Sequence, residues 1–504
     1  MESLTLNTDK MKKTSLILIF VCALFQNSFS QNVDDALRYS QVFYSGTARF
    51  MSMGGAFTAL GGDLSSIGLN PAGTGVFRSF EFSITPQLFY NNTSAVFNNS
   101  RATDFRYTTN LNQAGFVANL ISSGNETGLV NLNFAYSFNR SNNFNENITI
   151  KGISNNSSMA DDFASQANGS YKNDLTGAAW AANQTWLIDT LSGSSKQYGT
   201  VFSQYGDNTS STYGQNIRRI IINDGYTGQH SISIGANYSN MYFFGATFDI
   251  STLNYTGHFE HLESDDNNVI YDFKNFTYTD HLNATGTGYS LNLGTIIKPV
   301  DFLRIGLAFH SPVVYRVNES YYDNITSNFD IAVDGVDRYE ASNPSMRYDY
   351  TLTTPMRVLA GVALQIKKSA IISVDYEYVD YRKSKFSNAS DNYPYTAENQ
   401  GIQDILKSSS NVRVGGEYRI NNIYFRGGYS YYGKAFNPSE VNNNLDYNVF
   451  SFGIGMRQQN FYCDLAYSAL SSTSKYFMYN DPSLQPATIT TSRNAFVITM
   501  GFKF

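Results

Sequence analysis

The sequence predicts an all-β protein: a transmembrane antiparallel β-barrel of about 14 strands, with a small N-terminal hatch inside its lumen. Three observations predict it. Apolar and polar residues alternate in runs from residue 78 to the C-terminus. Charged residues are 15% of the chain, against about 25% in ordinary soluble domains, while aromatics, with 37 Tyr, 37 Phe and 2 Trp, also reach 15%. Finally, the chain opens with an export-type leader, yet no run after residue 30 approaches the roughly 18 apolar residues of a spanning helix. An exported, aromatic-rich, charge-poor chain without such helices fits the membrane class whose strands alternate between lipid and lumen.

The leader has Lys10, Lys12 and Lys13, an apolar run from Leu16 to Phe25, and Ser28-Phe29-Ser30 before Gln31. It reads as a secretory signal peptide over 1–30, cleaved after Ser30, with Met1 and Met11 both available as the start. Phe20-Val21 precede Cys22 where a lipoprotein needs small residues, so the exported chain keeps Cys463 as its one cysteine and forms no internal disulfide. A net charge of −6 offers nucleic acid no basic surface.

Residues 31–77 read as the hatch. Met53, Phe57, Leu60, Leu64 and Ile67 have helical spacing, but Gly54-Gly55 and Gly61-Gly62 interrupt it, which predicts short helical pieces folded on themselves. Asn70-Pro71 forces an extended or turn conformation. No Lys-Ser or Lys-Thr follows the glycines, which excludes a phosphate loop.

The barrel is expected over 78–504. Phe80, Phe82, Ile84 and Leu88 alternate with Glu81, Ser83, Thr85 and Gln87. Pro86, within this first strand, removes a ladder donor and predicts a bulge. Period-two reading places strands near 78–90, 104–121, 127–140, 228–239, 241–262, 284–298, 302–316, 347–366, 369–385, 409–420, 422–434, 447–458, 460–476 and 491–504. Tight turns fall at Ser239-Asn240, Pro299-Val300-Asp301, Lys367-Lys368, Asn421-Asn422 and Gln459-Asn460. Short turns belong to the periplasmic side, and with both termini periplasmic the even parity closes. The long loop 141–227 faces outward and holds both Trp180 and Trp186. Leu175, Ala179, Ala182 and Trp186 are spaced as one helix face, which reads either as an apolar capture surface over the mouth or as a helix stabilising its own loop.

The hatch signature Asn70-Pro71-Ala72-Gly73 resembles that of the FadL/TodX family of outer-membrane transporters for hydrophobic compounds. Tyr289 to Pro312, Thr354-Pro355-Met356-Arg357, Ala370 to Arg382, Asn411 to Gly433 and Phe450 to Ser468 resemble barrel segments of that family in order, whereas 140–280 matches poorly. The final alternation through Phe502 to Phe504 resembles the signal read by the barrel assembly machinery. The resemblance implies a monomer in the outer membrane of a Gram-negative bacterium, bathed in lipid and lipopolysaccharide. There it would pass small hydrophobic molecules such as long-chain fatty acids by diffusion, with no cofactor, metal or enzymatic chemistry. Asn70, Pro71, Ala72 and Gly73 become the hatch or gating residues. In the family a strand irregularity, usually in the third strand, makes a lateral opening; here that strand has only Gly128 near its start.

Inward positions carry Arg304, Asp375, Glu377, Arg413, Glu417, Arg419, Arg426, Arg457 and Asp464, which reads as a lumen charge network or as the source of a carboxylate-binding arginine. His258 and His261 fall on opposite faces of one strand, and the remaining histidines sit near strand ends. Two rival functions remain: a docking or shuttle component of a protein secretion system, and a haem-uptake receptor, for which the sequence shows no coupling box or folded plug domain.

Overall fold

The computed structural model describes residues 32–203, 212–367 and 369–504. The leader and Lys368 of one tight turn lie outside the described residues. Fourteen antiparallel strands pair in chain order: β1 (Glu81–Phe97), β2 (Ser100–Ser122), β3 (Leu129–Asn143), β4 (Asn216–Tyr238), β5 (Tyr242–Ser264), β6 (Asn275–Val300), β7 (Leu303–His310 and Val314–Val333), β8 (Met346–Thr353 and Arg357–Ile366), β9 (Ala370–Asp380), β10 (Ser408–Ile420), β11 (Ile423–Tyr432), β12 (Tyr447–Gln458), β13 (Phe461–Tyr476) and β14 (Ala487–Lys503). Pairing of β1 with β14 closes the barrel, so neither edge is left free. No helix among the described residues is long and apolar enough to cross a membrane.

The alternation of β1 is the alternation of the wall. Ser83, Thr85 and Gln87 are buried inside, while Phe82, Ile84 and Leu88 are exposed outside. Phe244, Phe248, Leu291, Leu293, Leu307, Val362, Val374, Phe452 and Ile498 continue this apolar belt around the barrel. The bulge expected at Pro86 is present, where the β1–β2 register shifts between Thr85 and Pro86. Ser239 and Asn240 both take positive φ, at 55° and 56°, as a tight hairpin turn of this hand requires.

Four strands run at least seven residues farther towards the long loops than the sequence predicts: β1 ends at Phe97 rather than 90, and three others extend further still. β4 begins at Asn216 rather than near 228, β6 at Asn275 rather than 284, and β7 continues to Val333 rather than 316. Beyond the apolar belt the outward positions of β5 become Thr252, Asn254 and Thr256, polar residues that suit water and not lipid. Without apolar residues on one face, period two vanishes from the sequence while the ladder continues.

These extensions claim both ends of the 141–227 loop. A strand over Glu146–Ile153 prolongs β3 along β4, and what remains folds as a dome over the mouth. The dome contains α3 (Met159–Ala167), α4 (Gly177–Gln184) and a small hairpin, with Phe163, Leu187, Phe202, Phe273 and Phe276 in its core. Ser158 and Asp161 form a capping box on α3. Glu263, fully buried at the end of β5, accepts from Ser158 Oγ at 2.7 Å, the Met159 amide at 2.8 Å and Gln215 at 2.9 Å. It therefore ties the dome to the barrel.

Removing this acceptor strands several buried donors, at about 1–3 kcal/mol each. Glu263→Ala should thus make 154–203 cleavable by protease while the barrel keeps its folded electrophoretic mobility. Equal dome resistance in variant and wild type would refute the assignment.

Candidate functional site

The hatch sits across the lumen as short pieces: α1 (Val33–Ser40), α2 (Ala48–Ser52) and two 3-10 turns, Leu64–Gly68 and Pro71–Val76. Asn70, with its amide oxygen on the Ala72 N–H at 3.1 Å, caps the second turn. Its Nδ2 donates to the carbonyls of Thr58 at 2.6 Å, inside the hatch, and of Thr295 at 3.2 Å, in the wall. Asn70, Pro71, Ala72 and Gly73 are all buried and line none of the cavities described below. They anchor the hatch.

The wall facing them has been stripped of side chains. Gly235 pairs with Gly245 and Gly245 with Gly294, which makes a row across β4, β5 and β6. A methyl on Gly245 would collide with the Pro71 carbonyl, and one on Gly294 with the Asn70 amide. The hatch backbone thus rests on the wall backbone.

Charge completes the seat. Glu377 bridges Arg357 at 2.5 Å and Arg413 at 2.8 Å. Arg426 bridges Glu417 at 2.6 Å and Asp464 at 2.7 Å, and Glu417 also holds Arg49 of the hatch at 3.0 Å. Asp375 accepts the Thr58 N–H at 2.8 Å, and Arg304 donates to Leu60 O at 2.7 Å. Two expected members fall outside this network. Arg419 is exposed and donates to Asn421 O, because it is the penultimate residue of β10, beside the tight turn; Arg457 stacks on Tyr424 and Tyr462 at 5.0 and 5.4 Å. Arg357 and Arg49 belong to it and were not expected.

On the loop side of the hatch the lumen opens into a vestibule of about 630 Å³. α1 lies within it, its Ala36 and Leu37 packed in one cluster with Tyr255, Tyr350 and Ile402, the last from α5 (Thr396–Ile405). The described chain therefore begins on the loop side and not at the short-turn end; the parity survives because Phe80, at the start of the wall, bonds to Phe504 there. Burial pushes the Asp35 carboxyl up to about 6 against the opposing pull of Arg38, to which it is bonded.

Below the vestibule is a smaller apolar pocket of about 100 Å³ lined by Phe43, Met51, Phe89, Val449 and Leu470. Phe43, Asn142 and Arg493 line both spaces. Arg140 also borders the pocket, and the Nε atoms of Arg140 and Arg493 are buried without a protein partner. The position of Arg493 could have been read from its inward parity in β14. Arg140 has outward parity and is brought in by a register shift between Arg140 and Asn142.

The pocket abuts a seam in the wall. The β2–β3 ladder ends at Gln113 opposite Asn139, beyond which β3 follows β4 alone. Higher up, side chains bridge the two edges: Thr149 to Asp104 at 2.7 Å and Arg106 to Asn147 at 3.2 Å. Between these points the Asn110 amide is buried with neither its N nor its O engaged by protein.

A solved toluene transporter, TodX of P. putida, superposes with a TM-score of 0.52 over 92% of this chain and 99% of its own, at 12% identity. A Pseudomonas aeruginosa FadL homologue gives 0.54 over 92% and 100%, at 13% identity. The chain has the fold of the FadL/TodX channels. No protein-family model and no curated protein sequence matches it.

Within this FadL/TodX fold, the remaining sequence candidates are scattered. Ala179 and Ala182 of α4 face the dome's own core, Trp180 packs against it, and Trp186, just past the helix, is exposed beside Tyr339. Phe502 and Phe504 are exposed at the short-turn end. His258 stacks on His281 at 3.9 Å, whereas His261 and His310 are buried, the latter bonded to Leu69 O of the hatch at 2.9 Å. Those two histidines are structural. No three His, Cys, Asp or Glu converge as a metal site among the described residues.

Gly245→Val should lift the hatch from its seat, an overpacking that costs about 1–3 kcal/mol. Trypsin should then cut after Arg49, while Gly427→Ala, whose added methyl meets nothing nearer than 3.9 Å, should leave Arg49 protected. Protection in both variants would show that the hatch does not depend on the glycine row.

Proposed function

We propose that this protein passes small hydrophobic molecules, long-chain fatty acids among them, across the outer membrane by diffusion. The observation that carries the reading is the apolar pocket at the foot of the vestibule, bordered by Arg140, Asn142 and Asn143 just where β3 loses its ladder to β2. A solute enters the vestibule, exchanges water for Phe43, Met51 and Phe89, and leaves sideways between β2 and β3. The solved TodX transports toluene, which agrees with an apolar pocket of this kind.

The pocket's size bears on the solute. An engineered cavity of about 150 Å³ holds one benzene, so a pocket of about 100 Å³ admits one small ring or the end of a chain. A fatty acid would lie with its tail in the pocket and its body in the vestibule. Arg493, where the two spaces join, and Arg140, on the pocket side, each have an unengaged Nε and suit its carboxylate, Arg493 with Glu146 already at 3.6 Å. In this reading Asn70 to Gly73 hold the hatch in place, and gating falls to the stretch Phe43 to Ser45, which faces the pocket. In a membrane the apolar belt meets lipid and lipopolysaccharide, and terminal Phe502 and Phe504 serve assembly.

Ser468→Phe, which fills the pocket from the wall, should lower uptake of a fluorescent fatty acid by cells at least about tenfold, the loss expected when about 1.4 kcal/mol of binding is removed. Ser320→Phe, away from the pocket, should transport normally. Unchanged uptake by a folded Ser468→Phe barrel would exclude this route.

A further inference from the structure

A second cavity lies on the other side of the hatch. It is a recess of about 170 Å³ at the short-turn end, with Leu60, Val76 and Ile371 as its apolar wall and Arg49, Arg304 and Gln365 as its polar one. Gly61 and Gly62, at φ 59° and 64°, form its floor and leave it free of side chains. No carboxylate lines it.

Charge balance leaves two inward guanidiniums of the expected set without a carboxylate, Arg457, which stacks on Tyr424 and Tyr462, and Arg304, which alone of the two borders the recess. Around the hatch, Arg49 and Arg426 face Glu417 and Asp464, and Arg357 and Arg413 face Glu377 and Asp375, two carboxylates for two guanidiniums in each set. Glu81 holds Lys503 at 2.7 Å. Asp63 of the hatch is engaged by the Thr47 hydroxyl and the Ser65 amide. Among the described residues no carboxylate pairs with Arg304, whose one hydrogen bond is to Leu60 O. A guanidinium has five donors, and this one spends a single N–H on the hatch while half-buried at the edge of an anion-free recess. As a strut alone it would do no more than a neutral glutamine.

The geometry points to a binding site for the carboxylate of a small apolar acid at this recess, with Arg304 as the principal donor, Gln365 beside it, and Leu60, Val76 and Ile371 against the apolar body. The ligand's chemistry rests on the transport reading; the site does not. Such a site would take up an acid on the short-turn side of the hatch, separately from the pair Arg140 and Arg493 above it.

The test is a ¹⁹F NMR titration of the detergent-solubilised full chain with 4-fluorobenzoate, using 4-fluorobenzyl alcohol as the uncharged control. Wild type should bind the benzoate at two classes of site. Arg304→Gln should weaken one class about tenfold or more, as loss of a charged hydrogen bond implies. Arg304→Lys should retain it within a few-fold, and Arg493→Gln should weaken the other class only. Undiminished binding in Arg304→Gln, or equal affinity of the alcohol for that site, would overturn the inference. Loss of binding in Arg304→Lys equal to that in Arg304→Gln would also count against it, since a strut rather than a charge would then be at work. If the Arg304-dependent class is present in wild type while no Arg493-dependent class exists, the recess stands and the lumen pathway falls.

Discussion

Contact of backbone with backbone between hatch and wall is the constraint on which the rest depends. A plug held by side chains could tolerate a shifted strand, since flexible groups can re-pack. A plug resting on Gly235, Gly245 and Gly294 cannot, because slipping one strand by a residue would turn a side chain from its neighbouring position into the seat. The register of β4, β5 and β6 and the path of Asn70 to Gly75 are therefore specified together. Inward Asn131 and Asn133 reinforce this by donating to hatch carbonyls, Asn131 to Phe77 O at 2.8 Å and Asn133 to Thr74 O at 2.8 Å. The hatch's short pieces cannot satisfy their own ends, so the wall does it for them.

The buried ions work differently. Taking a charge out of water costs several kcal/mol, and a buried pair seldom improves on well-packed apolar groups. Their value lies in geometry: breaking one leaves its partner uncompensated, at about 3–5 kcal/mol. Glu417 joins Arg49 of the hatch to Arg426 of the wall, so displacing the hatch here would uncover a charge. This side of the hatch is fixed more firmly than the stretch from Phe43 to Ser45, which meets the wall through Phe43 N–H to Ser141 O and through Ser45 with Asn112.

Much of the fold was legible because lipid imposes alternation. Every strand was visible where its outer face meets the belt, as in Phe244 and Phe248 of β5, and was lost where the same strand continues into Thr252, Asn254 and Thr256. The charge network was legible as parity. Glu377, Arg413, Glu417, Arg426 and Asp464 all point inward, but parity alone does not say how far along the barrel a residue lies, which is why Arg419 was misplaced. Arg49 was hidden because the hatch has no period from which a facing side can be read. The seam was hidden for a deeper reason: it consists of ladder bonds not made, and a missing partner leaves no trace in the composition of either strand.

That absence has its own chemistry. A wall strand deprived of its neighbour exposes donors and acceptors, which bilayer cores do not tolerate unless something else meets them. Here the replacement is a set of polar side chains: Asp104 and Arg106 on the β2 edge meet Thr149 and Asn147, while Asn91 and Thr93 reach across from β1 to the Asn145 and Asn147 carbonyls. Side-chain bonds can be exchanged singly, whereas a ladder opens only cooperatively. The seam is thus the part of the wall that can part locally without unzipping the barrel, and it lies where the apolar pocket reaches the wall.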